Sequence, residues 1–258
     1  MIRAGVKPML LEARSVTKAF GAFKAVNDVS LTINKGEIIG LIGPNGAGKS
    51  TFFNCLTGDL MPTTGQVFFK GQDVTLMGPE QRARLGLART FQVPLSFEGM
   101  SLVENVMIGA FLRTADPDEA RAKSLKVLEL TGLATLRDAP ASSLGTPGRK
   151  RLEIARALAT DPEILLLDEA MAGLTATEVR QAIELVRDIH RLGITLVIVE
   201  HIMEVIISLA EQVIVFHQGH EISRGSPQYV TQDTRVIEAY LGKRAAATAA
   251  KGFAGGKA

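Results

Sequence analysis

Gly43-Pro44-Asn45-Gly46-Ala47-Gly48-Lys49-Ser50, entered from the apolar run Glu37–Ile42, is the stretch that decides how this chain is read. It matches G-x-x-x-x-G-K-[ST], a strand feeding a glycine-rich loop that opens a helix. Phosphate oxygens need several donors at close range, and ordinary side chains would crowd them. Glycines let the backbone wrap the phosphates with N–H groups turned inward. The helix expected over Lys49–Leu56 adds its positive N-terminal end. Lys49 brings a point charge, and the Ser50 hydroxyl suits a Mg²⁺ shell. The candidate cradle is therefore Gly43, Pro44, Asn45, Gly46, Ala47, Gly48, Lys49, Ser50 and Thr51.

A second chemical signal lies further along. Ile164-Leu165-Leu166-Leu167-Asp168-Glu169 is an apolar strand that ends in two carboxylates. Successive strand residues point to opposite faces, so the two acids are free to take separate tasks. Asp168 is the candidate metal-shell ligand, and Glu169 the candidate base that polarises an attacking water.

Working outward, Leu10–Ala19, Val29–Ile33, Gln66–Phe69 and Ile194–Val199 read as strands, and Thr177–Arg191 and Ile202–Leu209 as helices. Val213–His217 and Glu221–Arg224 read as a hairpin across Gln218-Gly219. Strands alternating with helices imply a mostly parallel sheet, an α/β core. From about Gln92 to about Thr146 the spacing turns helical, with Leu102–Phe111 and Asp118–Thr131 as two helices. This stretch is expected to be a small helical lobe inserted into the sheet domain, with a further helix over Gly148–Ala159. Residues 243–258 are Ala, Gly and Lys with few large apolar groups, and are expected to form a flexible tail after a domain spanning 1–242.

Bulk composition narrows the setting. The chain has 258 residues, 46% hydrophobic and 22% charged, enough for a substantial core. A net charge of +2 gives no electrostatic footprint for nucleic acid or for a polybasic membrane patch. The lone cysteine, Cys55, has no intrachain partner, which fits a reducing compartment. No apolar run reaches bilayer-spanning length, and the first residues lack a signal-peptide core. The expectation is a cytoplasmic chain whose membrane role, if any, needs a partner.

With those motifs in place, the sequence resembles the nucleotide-binding subunit of ABC transporters from roughly Leu10 to Gly242. GPNGAGKST is similar to that family's Walker A and ILLLDE to its Walker B. The resemblance implies a P-loop core with an antiparallel β portion, ATP as substrate and Mg²⁺ as cofactor. It places Phe20 where an aromatic ring stacks on adenine, a role that suits a flat ring. Gln92, in Arg89-Thr90-Phe91-Gln92, takes the Q-loop position, reaching Mg²⁺ and water and sensing the membrane partner; His201 takes the switch position near the γ-phosphate. Glu169, His201 and Gln92 are thus the implied catalytic set, and Ser50, Gln92 and Asp168 the implied metal set. Ala172-Gly173-Leu174-Thr175 sits where the D-loop belongs. A finer resemblance, to the branched-chain amino acid transport ATPases, rests on Phe20-Gly21 with Ala25-Val26-Asn27, on Arg89–Gln92, on Arg151-Leu152-Glu153-Ile154-Ala155-Arg156, and on Val236-Ile237-Glu238-Ala239-Tyr240-Leu241-Gly242. It implies a second ABC ATPase subunit, an integral membrane permease and, indirectly, a periplasmic or extracellular solute-binding protein, with this chain peripheral on the inner face of the membrane.

The sequence departs from that pattern at Leu144-Gly145-Thr146-Pro147-Gly148, where the family carries L-S-G-G-Q or L-S-Y-G-E/Q. That segment caps the γ-phosphate held by the partner subunit, which takes a hydroxyl and free N–H groups at a helix start. Gly145 has no hydroxyl and Pro147 no N–H, although proline is at home in a first turn. The Thr146 hydroxyl is the candidate replacement. Ala170 also stands where proline usually follows the Walker B glutamate. The expectation is a heterodimer with one competent and one weakened site, with a homodimer as the alternative. Two rival functions follow: a non-transport ABC ATPase working on ribosomes or DNA, and a module that holds ATP without hydrolysing it. The single cassette and near-neutral charge oppose the first; Glu169 and His201 oppose the second. Arg149-Lys150-Arg151 reads as a solvated basic face, or one near the partner's phosphates. His217-x-x-His220 lacks a third metal ligand and reads as solvated.

Overall fold

In the computed structural model, residues 7–92 and 96–241 are described, and the expected flexible tail lies outside them. Strands β1 (Met9–Phe20) and β2 (Phe23–Asn34) form a long antiparallel hairpin, and β3 (Ile38–Ile42) runs into the glycine loop and α1 (Lys49–Thr57). Then come β4 (Thr64–Phe69), β5 (Gln72–Asp73), α2 (Pro79–Leu85) and β6 (Leu87–Arg89). Helices α3 (Leu102–Ala110), α4 (Pro117–Leu130) and α5 (Thr146–Leu158) precede β7 (Ile164–Asp168). The chain continues through α6 (Ala176–Arg191), β8 (Thr195–Val199), α7 (Met203–Leu209), β9 (Gln212–His217), β10 (His220–Gly225), α8 (Pro227–Gln232) and α9 (Thr234–Leu241).

Two sheets organise these elements. One is antiparallel, in the order β2-β1-β4-β5; the other runs β10-β9-β3-β8-β7-β6 and is parallel except for the β9–β10 hairpin. Strands β3, β7 and β8 are buried along their whole length, as parallel strands covered on both faces must be. Their alternation is nevertheless kept. Ile39, Leu41, Ile164, Leu166, Val197 and Val199 join a core with Phe52, Phe53 and Leu56 of α1 and with Leu11, Ile33 and Phe69 of the antiparallel sheet. Ile38, Ile42, Leu165, Leu167, Leu196 and Ile198 pack on the other face against Val186 and Ile189 of α6 and Val205 of α7. Asp168 continues the register of Ile164 and Leu166, which turns its carboxylate toward the α1 side.

A third core joins Leu102, Val106, Ala120, Leu128 and Leu133 to Leu152 and Ala155 of α5 and to Ala159 at its end, so α5 belongs to the helical lobe and to the sheet domain at once. The crossing is close: a Cβ on Gly109 would lie 2.3 Å from the Arg156 carbonyl oxygen. Beneath α1, the Arg82 side chain is fully buried and donates to the carbonyls of Cys55, Leu56, Thr75 and Met77. Burial lowers its pKa to about 10.

Candidate functional site

The glycine loop leaves β3 at its C-terminal end, beside β8, where parallel α/β sheets bind ligands. Its shape depends on residues that no side chain fits. Gly43 has φ 150° and Gly48 φ 102°. A Cβ on either would lie 2.2 Å from a carbonyl oxygen, of Phe216 and Ala25 respectively. The β9–β10 turn clamps the loop from outside: the Gly219 N–H donates to Ala47, and the Asn27 N–H to Gly219. Lys49 Nζ folds onto the loop, 2.7 Å from the Gly43 oxygen and 3.1 Å from that of Pro44. Burial lowers the Lys49 pKa, opposed by the charges of Glu169 and Asp168.

One cleft of about 800 Å³ gathers the candidate residues: Gly43 through Thr51 line it together with Phe20, Gln92, Glu169 and His201. Two further aromatics, Phe23 and Tyr240, lie on the same wall and were not singled out in the sequence. Phe23 pairs with Phe20 across the tight β1–β2 turn, a pairing that a strand read as starting at Val29 hides. Tyr240 arrives on α9, and its phenol pKa is pushed up by burial against the Gly43 N–H, which acts the other way. Phe20 is half exposed, with Lys18 Nζ 5.3 Å from its ring centre.

Glu169 has φ 46°, a left-handed backbone that a glutamate adopts only where its surroundings hold it. Its N–H donates to the Val199 carbonyl of the neighbouring strand. Its Oε2 accepts from Gln92 Nε2 at 2.9 Å, which joins two of the three candidate catalytic side chains directly. His201 lines the cleft. The adjacent Glu200 is buried, accepts from the Met171 N–H at 2.8 Å, and has its pKa raised by that burial.

Asp168 is buried, which raises its pKa against the opposing pull of Arg89, whose Nη2 lies 3.6 Å from Oδ2. Its Oδ1 has no hydrogen-bond partner among the described residues. No cluster of three or more His, Cys, Asp or Glu among the described residues is placed to hold a metal. A cation here would therefore be held by Asp168, the Ser50 hydroxyl and the oxygens of a bound phosphate, and the unpartnered Oδ1 is a fit for it. Arg89 ties this carboxylate to Asn54 of α1 and to Asp59 just beyond it, each 2.7 Å from Nη1, and its guanidinium lies over the rings of Phe53 and of Phe91.

The signature segment is as bare as its sequence suggests. Gly145 caps α5 with an extended backbone and no side-chain hydrogen bond, and Pro147 sits in the first turn. Arg149 folds back to the Leu144 carbonyl and to Glu98. Lys150 corrects the reading of a solvated basic face: it is buried and donates to the Glu169 carbonyl at 2.9 Å. Its position one turn along α5 aims it inward, whereas Arg151 reaches Gln181 at the surface.

Comparison with known proteins agrees with this geometry. A family model described as "ABC transporter" matches residues 26–172. The high-affinity branched-chain amino acid transport ATP-binding protein LivG of Escherichia coli K12 is 36% identical over 250 residues, 91% of this chain and 98% of that protein. The lipopolysaccharide export system ATP-binding protein LptB of Acidithiobacillus ferridurans is 36% identical over 233 residues, 90% and 97% of the two chains. Among solved structures, a nucleotide-free ATP-binding cassette from an ABC transporter superposes with a TM-score of 0.83 at 32% identity, covering 91% of this chain and 100% of that one. Another ATP-binding cassette of an ABC transporter, in its ADP conformation, gives the same score and identity over 91% and 99%.

Proposed function

The chain belongs to the ABC transporter family and is one of its ATP-hydrolysing nucleotide-binding subunits, and from that premise we propose that it energises import of branched-chain amino acids or related small solutes. The observation that carries the reading is the single cleft in which the phosphate loop meets Gln92, Glu169, His201 and Phe20. Support for the solute class comes from LivG, matched over nearly its full length. The equal identity to LptB weighs against reading the solute from this subunit alone, since specificity belongs to the permease.

In the proposed working of the site, Phe20 stacks on adenine, with Phe23 and Tyr240 closing the same wall. The N–H groups of Gly43–Thr51 and the start of α1 hold the β- and γ-phosphates, and Lys49 swings from the loop carbonyls to the phosphate oxygens. Glu169 polarises the attacking water, Gln92 orients Glu169 and that water, and His201 steadies the γ-phosphate. Ser50, Gln92 and Asp168 would hold Mg²⁺, which when bound would neutralise the charge that develops on the phosphoryl oxygens. Residues 1–242 constitute the ATPase domain, with the lobe of about 92–146 inserted. Among the described residues no helix is long and apolar enough to cross a membrane. Membership of the ABC transporter family supports placing the chain on the inner face of the membrane, working through an integral permease. A solute-binding protein outside delivers the solute, and no nucleic acid takes part. A second ATPase subunit closes over the nucleotide, and the uncapped Gly145 with Pro147 favours a heterodimer over a homodimer.

Two variants test the assignment. Lys49→Ala is expected to weaken ATP binding by at least about tenfold, the loss of a charge-assisted contact. Glu169→Gln is expected to keep ATP binding and to lower phosphate release by about 100-fold or more, the loss of a general base. Phosphate release by Glu169→Gln equal to wild type removes Glu169 from the role of base.

A further inference from the structure

Lys150 and Glu153 stand one helical turn apart on α5, so they share a face, and both are buried. Neither spends its charge on the other's salt bridge; each reaches a different catalytic loop. Lys150 Nζ donates to the Glu169 carbonyl at 2.9 Å. Glu153 Oε1 accepts from the Phe91 N–H at 2.5 Å, one residue before Gln92. Gln92 Nε2 in turn donates to Glu169 Oε2 at 2.9 Å. The contacts close a ring: α5, the Glu169 loop, Gln92, the Phe91 backbone and α5 again.

Burying a lysine and a glutamate is costly, and desolvation lowers the pKa of Lys150 and raises that of Glu153. Apolar residues would fill these α5 positions at less cost if packing alone were required. What the charges add is direction at the two places where the chemistry needs it. Glu169 is held at φ 46°, and its carbonyl is pinned by Lys150 while its carboxylate is pinned by Gln92. We propose that Lys150 and Glu153 are positioning residues that hold Glu169 and Gln92 in hydrolytic register from α5. The first turn of α5 begins at Thr146, inside the Leu144–Gly148 segment that the family resemblance sets against a partner's nucleotide, so a shift of this helix is delivered to both loops of the chain's own site. The inference rests on the hydrolytic reading of the cleft and adds residues to it.

The test is steady-state phosphate release by the assembled ATPase pair, resolved into kcat and KM for ATP, with ATP affinity measured separately. Lys150→Met, Glu153→Leu and the double variant are compared with wild type and Glu169→Gln. Each single substitution is expected to lower kcat by about 10- to 100-fold, the scale of a misplaced catalytic group, with KM and ATP affinity within about twofold. The double variant is expected within about threefold of the worse single one, because a broken ring is not broken twice. An unchanged kcat in either single variant overturns the proposal. So does a rise in KM without a fall in kcat, or multiplied losses in the double variant. If Lys150→Met does not fold, Glu153→Leu decides by the same split. Inactive Glu169→Gln beside a fully active Lys150→Met defeats the positioning role alone; a fully active Glu169→Gln defeats the hydrolytic reading beneath it.

Discussion

A single residue can be decisive here through where its polar atoms end. Phe20 is half exposed, and the role proposed for its ring is stacking on adenine. Phe20→Ala is therefore expected to raise KM for ATP by about tenfold, the equivalent of roughly 1.4 kcal/mol, with kcat nearly unchanged in a phosphate-release assay. Arg82 is the opposite case, a guanidinium buried for structure. Arg82→Met strands carbonyls of α1 and its neighbours, and urea unfolding is expected to show a loss of about 2–4 kcal/mol. Glu200 gives a pH signature. Burial raises its pKa in the folded chain above that of the unfolded chain, so the folded state binds the proton more tightly. Its stabilising contribution is present at acid pH and is lost as pH rises through the raised value. Glu200→Gln lacks that loss. The stability of wild type relative to Glu200→Gln is expected to fall as pH rises above the ordinary glutamate range in urea titrations, and a constant difference would contradict it.

At the scale of elements, legibility in the sequence followed how much of each element's burial was apolar. Strands β3, β7 and β8 are short apolar runs bounded by turns and were readable, as were the phosphate loop and the two carboxylates at the end of β7. Helix α2 was not, because its one fully buried side chain is Arg82, and a charge at the inward position erases the periodicity. Strand β6 spans only Leu87–Arg89, too short to show any period. Lys150 and Glu153 were hidden for the same reason as Arg82: a buried charge reads as a surface charge until its partner is seen. The bare start of α5 offers its own test. A side chain at Gly145 meets nothing nearer than 3.9 Å, and its φ is ordinary. Gly145→Ser is expected to add the missing cap, stabilising the fold by a few tenths of a kcal/mol in thermal or urea unfolding. In the assembled pair it should also raise phosphate release.

At the scale of the whole molecule, α5 is the member shared between the helical lobe and the sheet domain, and the cleft sits at the ends of β3, β7 and β8 where the lobe's loops arrive. That arrangement makes hydrolysis a property of how two bodies and a partner subunit meet, which sequence motifs mark only by their order along the chain. Under the proposed function, this chain supplies one competent hydrolytic site and needs another subunit's signature to complete it. The direct test is steady-state phosphate release from the purified chain alone and mixed with each neighbouring ATPase subunit, in wild type and Glu169→Gln. Release is expected only in a mixture, and to be abolished by Glu169→Gln in this chain. Equal release from the chain alone would mean that Gly145-Thr146-Pro147 serves as a working signature, and would contradict the asymmetric pair.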